Sequence, residues 1–477
     1  MRILFVASEA FPLIKTGGLA DVAGALPAAL VEAGEDVRLL LPAYPAALAA
    51  LEDAAVIADL GDPLGAGPVH LIRGQSPGMR LEVWMVSCPN LFDRPGNPYL
   101  GPDGRDWPDN FLRFAVLSWV AATIAAGGWS GGWTPDIVHA NDWQTGLVPA
   151  YLKTWGVARP PTVFTVHNLA YQGRFSPAIL NAVGLPWESF AIDGVEFYGD
   201  LSYLKAGLYY ADRITTVSPT YAHEIQTDGE GQGLQGLLLA RDGDLSGILN
   251  GEDPKVWDPE HDPAIAHHFT ASHLSGKAKD KTALQREFKL DPVADAPLFG
   301  VISRLAEQKG IDLILDAVHD IVGRGGQIVI LGSGDSHLEQ GCRDAAAAWP
   351  GRVATRIGFE EPLAHRMQAG CDLVLMPSRF EPCGLTQLYA LRYGTIPVVR
   401  RTGGLADTVF DALDGAEATG FVFRESTLED FQNAIHRALA LYRQPSAWQE
   451  LQRRAMGQDF SWRRAAENYR RLYRELV

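Results

Sequence analysis

The chain has 477 residues, of which 47% are hydrophobic and 21% are charged, and its formal net charge is −16. This composition is that of a globular protein with two or three domains, and it excludes the disordered and fibrous classes. The acidic balance excludes a nucleic-acid partner, which normally needs a basic face.

No run of about 18 apolar residues occurs, so we expect no membrane association. The apolar start of the chain is too short for a signal peptide and is interrupted by Ser8 and Glu9, so it is interpreted as a first strand. Four scattered cysteines without a C-x-x-C pair favour a reducing, cytoplasmic location and argue against disulfides or structural zinc. The oligomeric state stays open.

A first series of buried strands alternates with helices from the N-terminus. Arg2–Ser8 is predicted to be a strand, and a helix follows from about Leu19. Further segments are predicted to be strands: Val37–Leu41, Leu81–Ser87, Asp136–Ala140, Thr162–His167 and Arg213–Val217. Because ligands bind at the carboxyl ends of strands in open α/β sheets, the polar residues that follow these strands are expected to share one crevice.

The strand pattern restarts near residue 248, with predicted strands at Leu298–Ile302, Gln327–Leu331, Val353–Ile357, Leu373–Met376 and Ile396–Val399. The predicted fold class is therefore α/β, with two Rossmann-like doubly wound domains at 1–247 and 248–457. The segment 458–477 contains a helix whose apolar stripe needs a packing partner and whose arginines are interpreted as a solvated face.

The motif KTGGLAD, which begins at Lys15, returns as RTGGLAD from Arg401. Each copy follows a predicted strand and precedes a helix. Glycine amides, a helix N-terminus and a basic side chain together favour phosphate binding, although one isolated copy is equally a plain strand-to-helix turn. Two copies in matching contexts suggest two similar halves that face each other across a ligand.

Two further loops follow predicted strands of the second series. Arg304 and Lys309 are placed to clamp a diphosphate, unless they are ordinary surface cations. Glu381 lies between a strand and a Gly-Leu-Thr helix start, where it either contacts a sugar beside the phosphate or caps the helix.

The segments KTGGLADV, HANDWQTGL, TVHNLAYQG, SYLKAGLYYAD, SRLAEQKG, PSRFEPCGLTQLYALRYG and RRTGGLADTV together resemble those of the bacterial glycogen synthase family. The resemblance runs from Ile3 to the final helix. It implies a GT-B fold with an interdomain active-site cleft, and a retaining transfer of glucose from ADP-glucose to the non-reducing end of an α-1,4-glucan. It also implies that the final helix crosses back to the N-terminal domain.

The resemblance assigns catalytic roles to five residues: Glu381, Arg304, Lys309, His167 and Asp142. It places a second set around the donor and acceptor: Lys15, Gly17, Gly18, Asp21, Tyr99, Asn250, Phe359, Cys383, Gly384, Leu385 and Thr386. Neither a cofactor nor a metal is expected. Asp242-Gly243-Asp244 matches a metal-binding D-x-D pattern but is interpreted as a polar turn.

Three positions depart from the family pattern. Asn141 stands where histidine is common, Glu252 where an aliphatic residue is usual, and Tyr389 where the wider GT-B class has a second glutamate. Phe359 replaces a frequent tyrosine and keeps the ring that stacks on adenine. The choice of ADP-glucose over UDP-glucose rests on the resemblance alone.

Two other functions remain open. One is a related GT-B enzyme, such as a sucrose-type synthase or a sugar-nucleotide epimerase, and the other is a catalytically silent glucan- or nucleotide-binding protein. If the assigned roles hold, the sequence predicts that Arg304→Ala and Lys309→Ala lower turnover severely and leave the melting temperature nearly unchanged.

Overall fold

Parallel strands with helices between them dominate the computed structural model, which describes residues 1–76, 78–79 and 81–477. These residues divide into two compact units, one of Met1–Gly251 with Trp462–Val477 and the other of Glu252–Ser461. The domain bounds expected from the sequence, 1–247, 248–457 and 458–477, stay a prediction.

The first unit contains twelve strands among its described residues: β1 (Arg2–Val6), β2 (Asp36–Pro42), β3 (Glu52–Asp59), β4 (His70–Ser76), β5 (Leu81–Ser87), β6 (Ile137–Asn141), β7 (Thr162–Val166), β8 (Arg174–Phe175), β9 (Glu196–Phe197), β10 (Asp200–Ser202), β11 (Arg213–Thr216) and β12 (Leu245–Gly247). The helices that accompany them are α1 (Gly18–Glu32), α2 (Pro45–Ala49), α3 (Pro89–Phe92), α4 (Asn110–Ala125), α5 (Leu147–Thr154), α6 (Tyr203–Tyr210), α7 (Pro219–Glu224) and α8 (Gln235–Ala240).

In the described part of this unit, nine strands form one sheet in the order β12-β11-β7-β6-β1-β2-β5-β4-β3. β1 pairs in parallel with both β2 and β6. The connections that leave β1 and β6 therefore run in opposite directions across the sheet. Such a reversal opens a crevice at the carboxyl ends of the two strands. β4 is antiparallel to β3 and β5.

The second unit contains the strands β13 (Leu298–Ile302), β14 (Gln327–Gly332), β15 (Val353–Ile357), β16 (Leu373–Met376), β17 (Ile396–Arg400) and β18 (Phe421–Phe423). The helices that follow in the chain are α9 (Ser275–Glu287), α10 (Ile311–Gly323), α11 (Ser336–Ala348), α12 (Glu361–Gly370), α13 (Thr386–Arg392), α14 (Gly403–Thr408), α15 (Leu428–Tyr442), α16 (Pro445–Met456) and, in the first unit, α17 (Trp462–Arg474).

The sheet of the second unit is parallel and has the order β15-β14-β13-β16-β17-β18. Its winding reverses between β13 and β16, which again places a crevice at the ends of these two strands. Both faces of the sheet are covered. Phe299 and Val301 of β13 pack in one buried cluster with Ile314 of α10, whereas Leu298 packs in another with Leu284 of α9. The layers are helix, sheet and helix.

The terminal helix α17 packs against α1 in the first unit. Its apolar stripe is buried, and the Tyr473 hydroxyl lies 2.7 Å from Nδ1 of the buried His139 on β6. One arginine of the opposite face is not simply solvated, because Arg470 Nε donates to Glu35 Oε1 at 2.7 Å. Among the described helices, none combines the length and the apolar character that a membrane span needs.

Deleting residues 462–477 should make the protein insoluble. The deletion exposes the apolar face of α1, and each large buried side chain that is lost contributes about 1.5–3 kcal/mol. Deleting only residues 475–477, which follow α17, should leave both yield and melting temperature unchanged. Expression and size-exclusion chromatography of both truncations test this. A monodisperse, active protein ending at residue 461 would contradict it.

Candidate active site

The loops that follow β13 and β16 meet at the winding reversal of the second unit. Arg304 and Lys309 follow β13, and Glu381 follows β16. Gly310 allows the two loops to approach, since its φ is +68° and an added Cβ would lie 2.2 Å from the Pro377 carbonyl oxygen. Arg379 N donates to the Gln308 carbonyl at 2.8 Å, which joins the loops through their backbones.

Lys309 and Glu381 form an ion pair, with Nζ 2.6 Å from Oε2. The Ser378 hydroxyl donates to the same carboxylate oxygen at 3.0 Å. Glu381 is 5% exposed, so its charge is held by these two donors rather than by water. Arg304 is exposed, and its Nη2 donates to Gln308 Oε1 at 2.9 Å. The structure therefore gathers a carboxylate and two cations at one strand edge.

Residues 382–386 link Glu381 to helix α13, which begins at Thr386. Cys383 is buried, and Gly384 has a φ of +72° that suits glycine. Leu385 immediately precedes α13, and the Thr386 hydroxyl donates to the Ile302 carbonyl of β13 at 3.4 Å. The loop that carries Glu381 is thus anchored to the other side of the winding reversal.

The second Gly-Gly motif packs against the backbone of the loop that carries Glu381. Both glycines are buried, and the Gly404 amide donates to the Glu381 and Pro382 carbonyls, each at 3.1 Å. An added Cβ would lie 2.0 Å from the Glu381 oxygen at Gly403 and 2.0 Å from the Cys383 oxygen at Gly404. The expectation that this motif offers its amides to phosphate, like the first copy, is therefore wrong for Gly404.

Two aromatic positions of the second unit have contrasting surroundings. Phe359, two residues after β15, is 68% exposed and leaves a ring face available for stacking. Tyr389 instead stacks on Trp257, with 3.8 Å between ring centroids and 8° between ring planes.

Glu252, another position that departs from the family pattern, is 5% exposed, and burial raises its pKa to about 7.

In the first unit, the loop that joins β1 to α1 carries Lys15, Gly17 and Gly18. Gly17 is the N-terminal cap of α1, and an added Cβ at Gly18 would meet no atom within 4 Å. Lys15 Nζ lies 2.6 Å from Asp21 Oδ1, so the cation is held over the first turn of the helix. Beneath this loop lies the buried carboxylate of Glu9, which is not among the predicted site residues.

Asp142 directly follows β6 and has an unusual backbone. Its φ of 58° and ψ of 179° fall in a region that almost only glycine adopts. Its Oδ1 accepts the His167 amide at 2.7 Å, which ties together the ends of β6 and β7. Burial raises the pKa of Asp142 to about 7. Strain and a perturbed pKa at one position favour a functional interpretation.

His167 and Asn141 form a second link between these strand ends. Asn141 Nδ2 donates to the Val6 carbonyl at 3.0 Å, which turns its Oδ1 towards His167 Nε2, also at 3.0 Å. Since Oδ1 only accepts, we assign the imidazole proton to Nε2, and Nδ1 carries the lone pair. Burial lowers the pKa of His167 to about 3, so the ring is neutral at physiological pH. Asparagine at position 141 therefore fixes the tautomer of His167.

The pKa of Asp142 predicts a pH-dependent difference between the wild type and Asp142→Asn. The folded pKa of about 7 exceeds the ordinary value of 3.8, so the folded state binds the proton more tightly. That stabilisation is complete below about pH 4 and is lost as the pH rises through 7. Between pH 5 and 8, the wild type should lose about 2–3 kcal/mol relative to the variant.

Urea unfolding of both proteins at four pH values measures this difference. Asp193→Asn, at an exposed aspartate of the same unit, is the control and should show no such trend. A difference between wild type and Asp142→Asn that does not change with pH would contradict the assignment.

Two other predicted site residues lie in loops of the first unit. The Tyr99 hydroxyl lies 2.9 Å from the Ser8 hydroxyl and also bonds to Glu9, so it belongs to a buried network rather than an open surface. Asn250 is 6% exposed, and its Oδ1 has no hydrogen-bond partner among the described residues. A buried acceptor of this kind can take a hydrogen bond from a bound ligand.

No group of three or more His, Cys, Asp or Glu side chains within the described residues is arranged to hold a metal ion. Asp242–Asp244 form a single 3-10 turn before β12, and Asp244 pairs with Arg213 and Arg241. The interpretation of this D-x-D pattern as a turn is confirmed.

Two family models match the chain. Residues 2–240 match the starch synthase catalytic domain, and residues 285–455 match the group 1 glycosyl transferases. A glycogen synthase of Paramagnetospirillum magneticum is 54% identical, over 100% of this chain and 98% of the relative. A glycogen synthase of Rhodospirillum rubrum is 51% identical, over 100% of this chain and 99% of the relative. The chain belongs to the glycogen synthase family.

Solved structures extend this family assignment to the fold. The catalytic domain of starch synthase IV from Arabidopsis thaliana, bound to ADP and acarbose, is similar with a TM-score of 0.88 and 32% identity, over 99% of this chain and 98% of that one. A sucrose-phosphate synthase from Thermosynechococcus elongatus, 19% identical with 100% and 98% covered, shares the fold at a TM-score of 0.61. The fold is GT-B, and the protein is a glycosyltransferase that transfers glucosyl units in glycogen synthesis.

Proposed function

We propose that the protein transfers glucose from ADP-glucose to the non-reducing end of an α-1,4-glucan, with retention of the α configuration and release of ADP. The observation that carries the donor assignment is the likeness to a starch synthase solved with ADP, at 32% identity over nearly the whole chain. The carboxylate and cations at the β13–β16 edge supply the chemistry that a sugar diphosphate requires.

In this proposal, Arg304 and Lys309 bind the diphosphate and stabilise the negative charge that grows as it leaves. Glu381 faces the glucosyl unit and stabilises positive charge at the anomeric carbon. The segment of Cys383, Gly384, Leu385 and Thr386 holds the donor through its backbone. The exposed ring of Phe359 stacks on adenine.

Residues of the first unit bind the transferred sugar, the donor phosphates and the acceptor. We assign Lys15, Gly17 and Gly18 to the diphosphate and glucosyl unit, because their loop combines a cation with an open helix N-terminus. The neutral Nδ1 of His167 accepts a hydrogen bond from a glucose hydroxyl, and Asp142 shapes the same pocket. Asp21, Tyr99 and Asn250 lie around the donor and acceptor. The buried Oδ1 of Asn250, which has no hydrogen-bond partner within the described part of the chain, supports this.

The proposed step breaks the bond between the anomeric carbon and the diphosphate oxygen. A new bond forms on the same face between that carbon and the acceptor 4-hydroxyl oxygen, and the hydroxyl proton passes to the departing phosphate. No metal or cofactor takes part in this proposal, so Arg304, Lys309, Lys15 and backbone amides balance the phosphate charge. The four cysteines, which are buried and form no disulfide among the described residues, support a cytoplasmic location.

The linkage test uses ADP-glucose labelled in the glucosyl unit, with glycogen as acceptor. Label should enter the polymer and be released by β-amylase, which removes maltose from α-1,4 non-reducing ends. Polymer label that resists β-amylase would contradict the proposed linkage. Tight ADP-glucose binding without incorporation would instead favour the silent binding protein, and transfer to a small sugar would favour a sucrose-type synthase.

A further inference from the structure

Glu9 is a buried carboxylate in the loop between β1 and α1. It is 2% exposed and lies three residues after the end of β1. None of the roles proposed above includes it. Burying a charged group is costly unless hydrogen bonds replace the lost water. Burial accordingly raises the pKa of Glu9 from its ordinary value. A carboxylate retained at such a position must have donors around it.

The donors to Glu9 come from the loop that carries the first Gly-Gly motif. The Thr16 amide donates to Oε2 at 2.5 Å, and the Thr16 hydroxyl donates to the same oxygen at 2.6 Å. The Gly17 amide and the Tyr99 hydroxyl also donate to the carboxylate. Two consecutive amides of the loop therefore point inward to Glu9.

The next residue, Gly18, is the first residue of α1, so its amide has no acceptor within the helix. Gly18 is exposed, and an added Cβ there would meet no atom within 4 Å. Lys15 is also exposed and is held at Asp21. With the Thr16 and Gly17 amides occupied, the Gly18 amide at the helix N-terminus and the exposed Lys15 ammonium are donors that this loop offers to a ligand.

We propose that Glu9 is a positioning residue for the donor phosphates: its carboxylate fixes the backbone of Thr16 and Gly17, so that Gly18 and Lys15 face the diphosphate. The inference rests on the proposed function, and it shifts the contact assigned to the Gly17 amide onto Gly18. Glutamine cannot replace glutamate here, because its NH2 group cannot accept the hydrogen bonds that the second carboxylate oxygen accepts.

The experiment compares Glu9→Gln with Glu35→Gln. Glu35 is another buried carboxylate of the first unit, and it pairs with the N-terminus and Arg470, away from the loop. Calorimetry gives the Kd of ADP, steady-state kinetics give the KM values for ADP-glucose and glycogen, and thermal unfolding gives Tm. Glu9→Gln should raise the ADP Kd and the donor KM about 10- to 100-fold, with glycogen KM unchanged and a smaller loss of Tm than Glu35→Gln causes.

Glu35→Gln should show the reverse pattern, with a lower Tm and an unchanged ADP Kd. Thr16→Val, which removes one donor, should weaken ADP binding by a smaller factor than Glu9→Gln. The inference would be overturned if Glu9→Gln bound ADP with the wild-type affinity. It would also be overturned if, across the three variants, the loss of ADP affinity were proportional to the loss of Tm. Failure of the wild type itself to bind ADP would overturn the proposed function, and is thereby distinguished from failure of the inference alone.

Discussion

Arg304→Ala should lower kcat with ADP-glucose by about 100- to 1000-fold, the usual cost of removing one preorganised charge donor. Its melting temperature should not change, because the Arg304 side chain is exposed and its bond to Gln308 is a surface contact. Lys279→Ala, at an exposed lysine of α9, is the matched control and should retain full activity. Steady-state kinetics and thermal unfolding on the three proteins give the answer.

Lys309→Ala should lose a similar factor in kcat, but the sequence-based expectation of an unchanged melting temperature does not follow from the structure. Removing Lys309 takes the ion-pair partner from the 5% exposed carboxylate of Glu381, to which the Ser378 hydroxyl still donates. A buried charge that loses its partner destabilises the fold, here by about 1–3 kcal/mol because Lys309 is partly exposed. Full activity in either Arg304→Ala or Lys309→Ala would refute the proposed clamp.

Glu381→Gln should lower kcat by about 100- to 1000-fold because its negative charge no longer faces the anomeric carbon. The variant should also be less stable, since Lys309 loses the carboxylate that lies 2.6 Å away. The double variant Lys309→Met with Glu381→Gln removes both charges and should recover most of the lost stability. The kcat of the double variant should remain as low as that of the less active single variant.

The double-mutant cycle separates the two roles of this ion pair. Stability is measured by urea unfolding and activity by glucose incorporation into glycogen. Suppose that the effects of the two substitutions on the free energy of unfolding are strongly non-additive, and that the double variant does not recover kcat. Both side chains are then catalytic and also stabilise each other. A double variant that regains activity along with stability would show that the pair serves only to hold the loops.

Most of the buried parallel strands of both sheets were predictable, because such strands are short apolar runs with polar ends. Leu81–Ser87, Leu298–Ile302, Val353–Ile357 and Leu373–Met376 have the predicted bounds. The β3–β4 hairpin was not predicted, because most of β3 is exposed and its sequence lacks an alternating pattern. Its existence depends on pairing with β5 through β4, which a single sequence does not reveal.

The candidate site was predictable as a set of loops but not as a set of contacts. Spacing placed Lys309 and Glu381 after different strands, and only the order of the sheet brings them together. The two Gly-Gly motifs have nearly the same letters, yet Gly18 is exposed whereas Gly404 donates to the Glu381 loop. Glu9 was visible as a charged residue directly after an apolar strand, but it was assigned no role from the sequence, because its donors are contacts that only the folded loop brings together.

The donor assignment is the central claim, and the ratio of kcat/KM for ADP-glucose to that for UDP-glucose tests it most directly. Incorporation into glycogen is measured with each donor in the presence of EDTA, so that the requirement for a metal is tested in the same assay. We predict efficient transfer from ADP-glucose and little from UDP-glucose, with no loss on adding the chelator. A preference for UDP-glucose would contradict the assignment. Activity that EDTA abolishes would contradict a reaction in which Arg304, Lys309, Lys15 and backbone amides balance the phosphate charge without a metal.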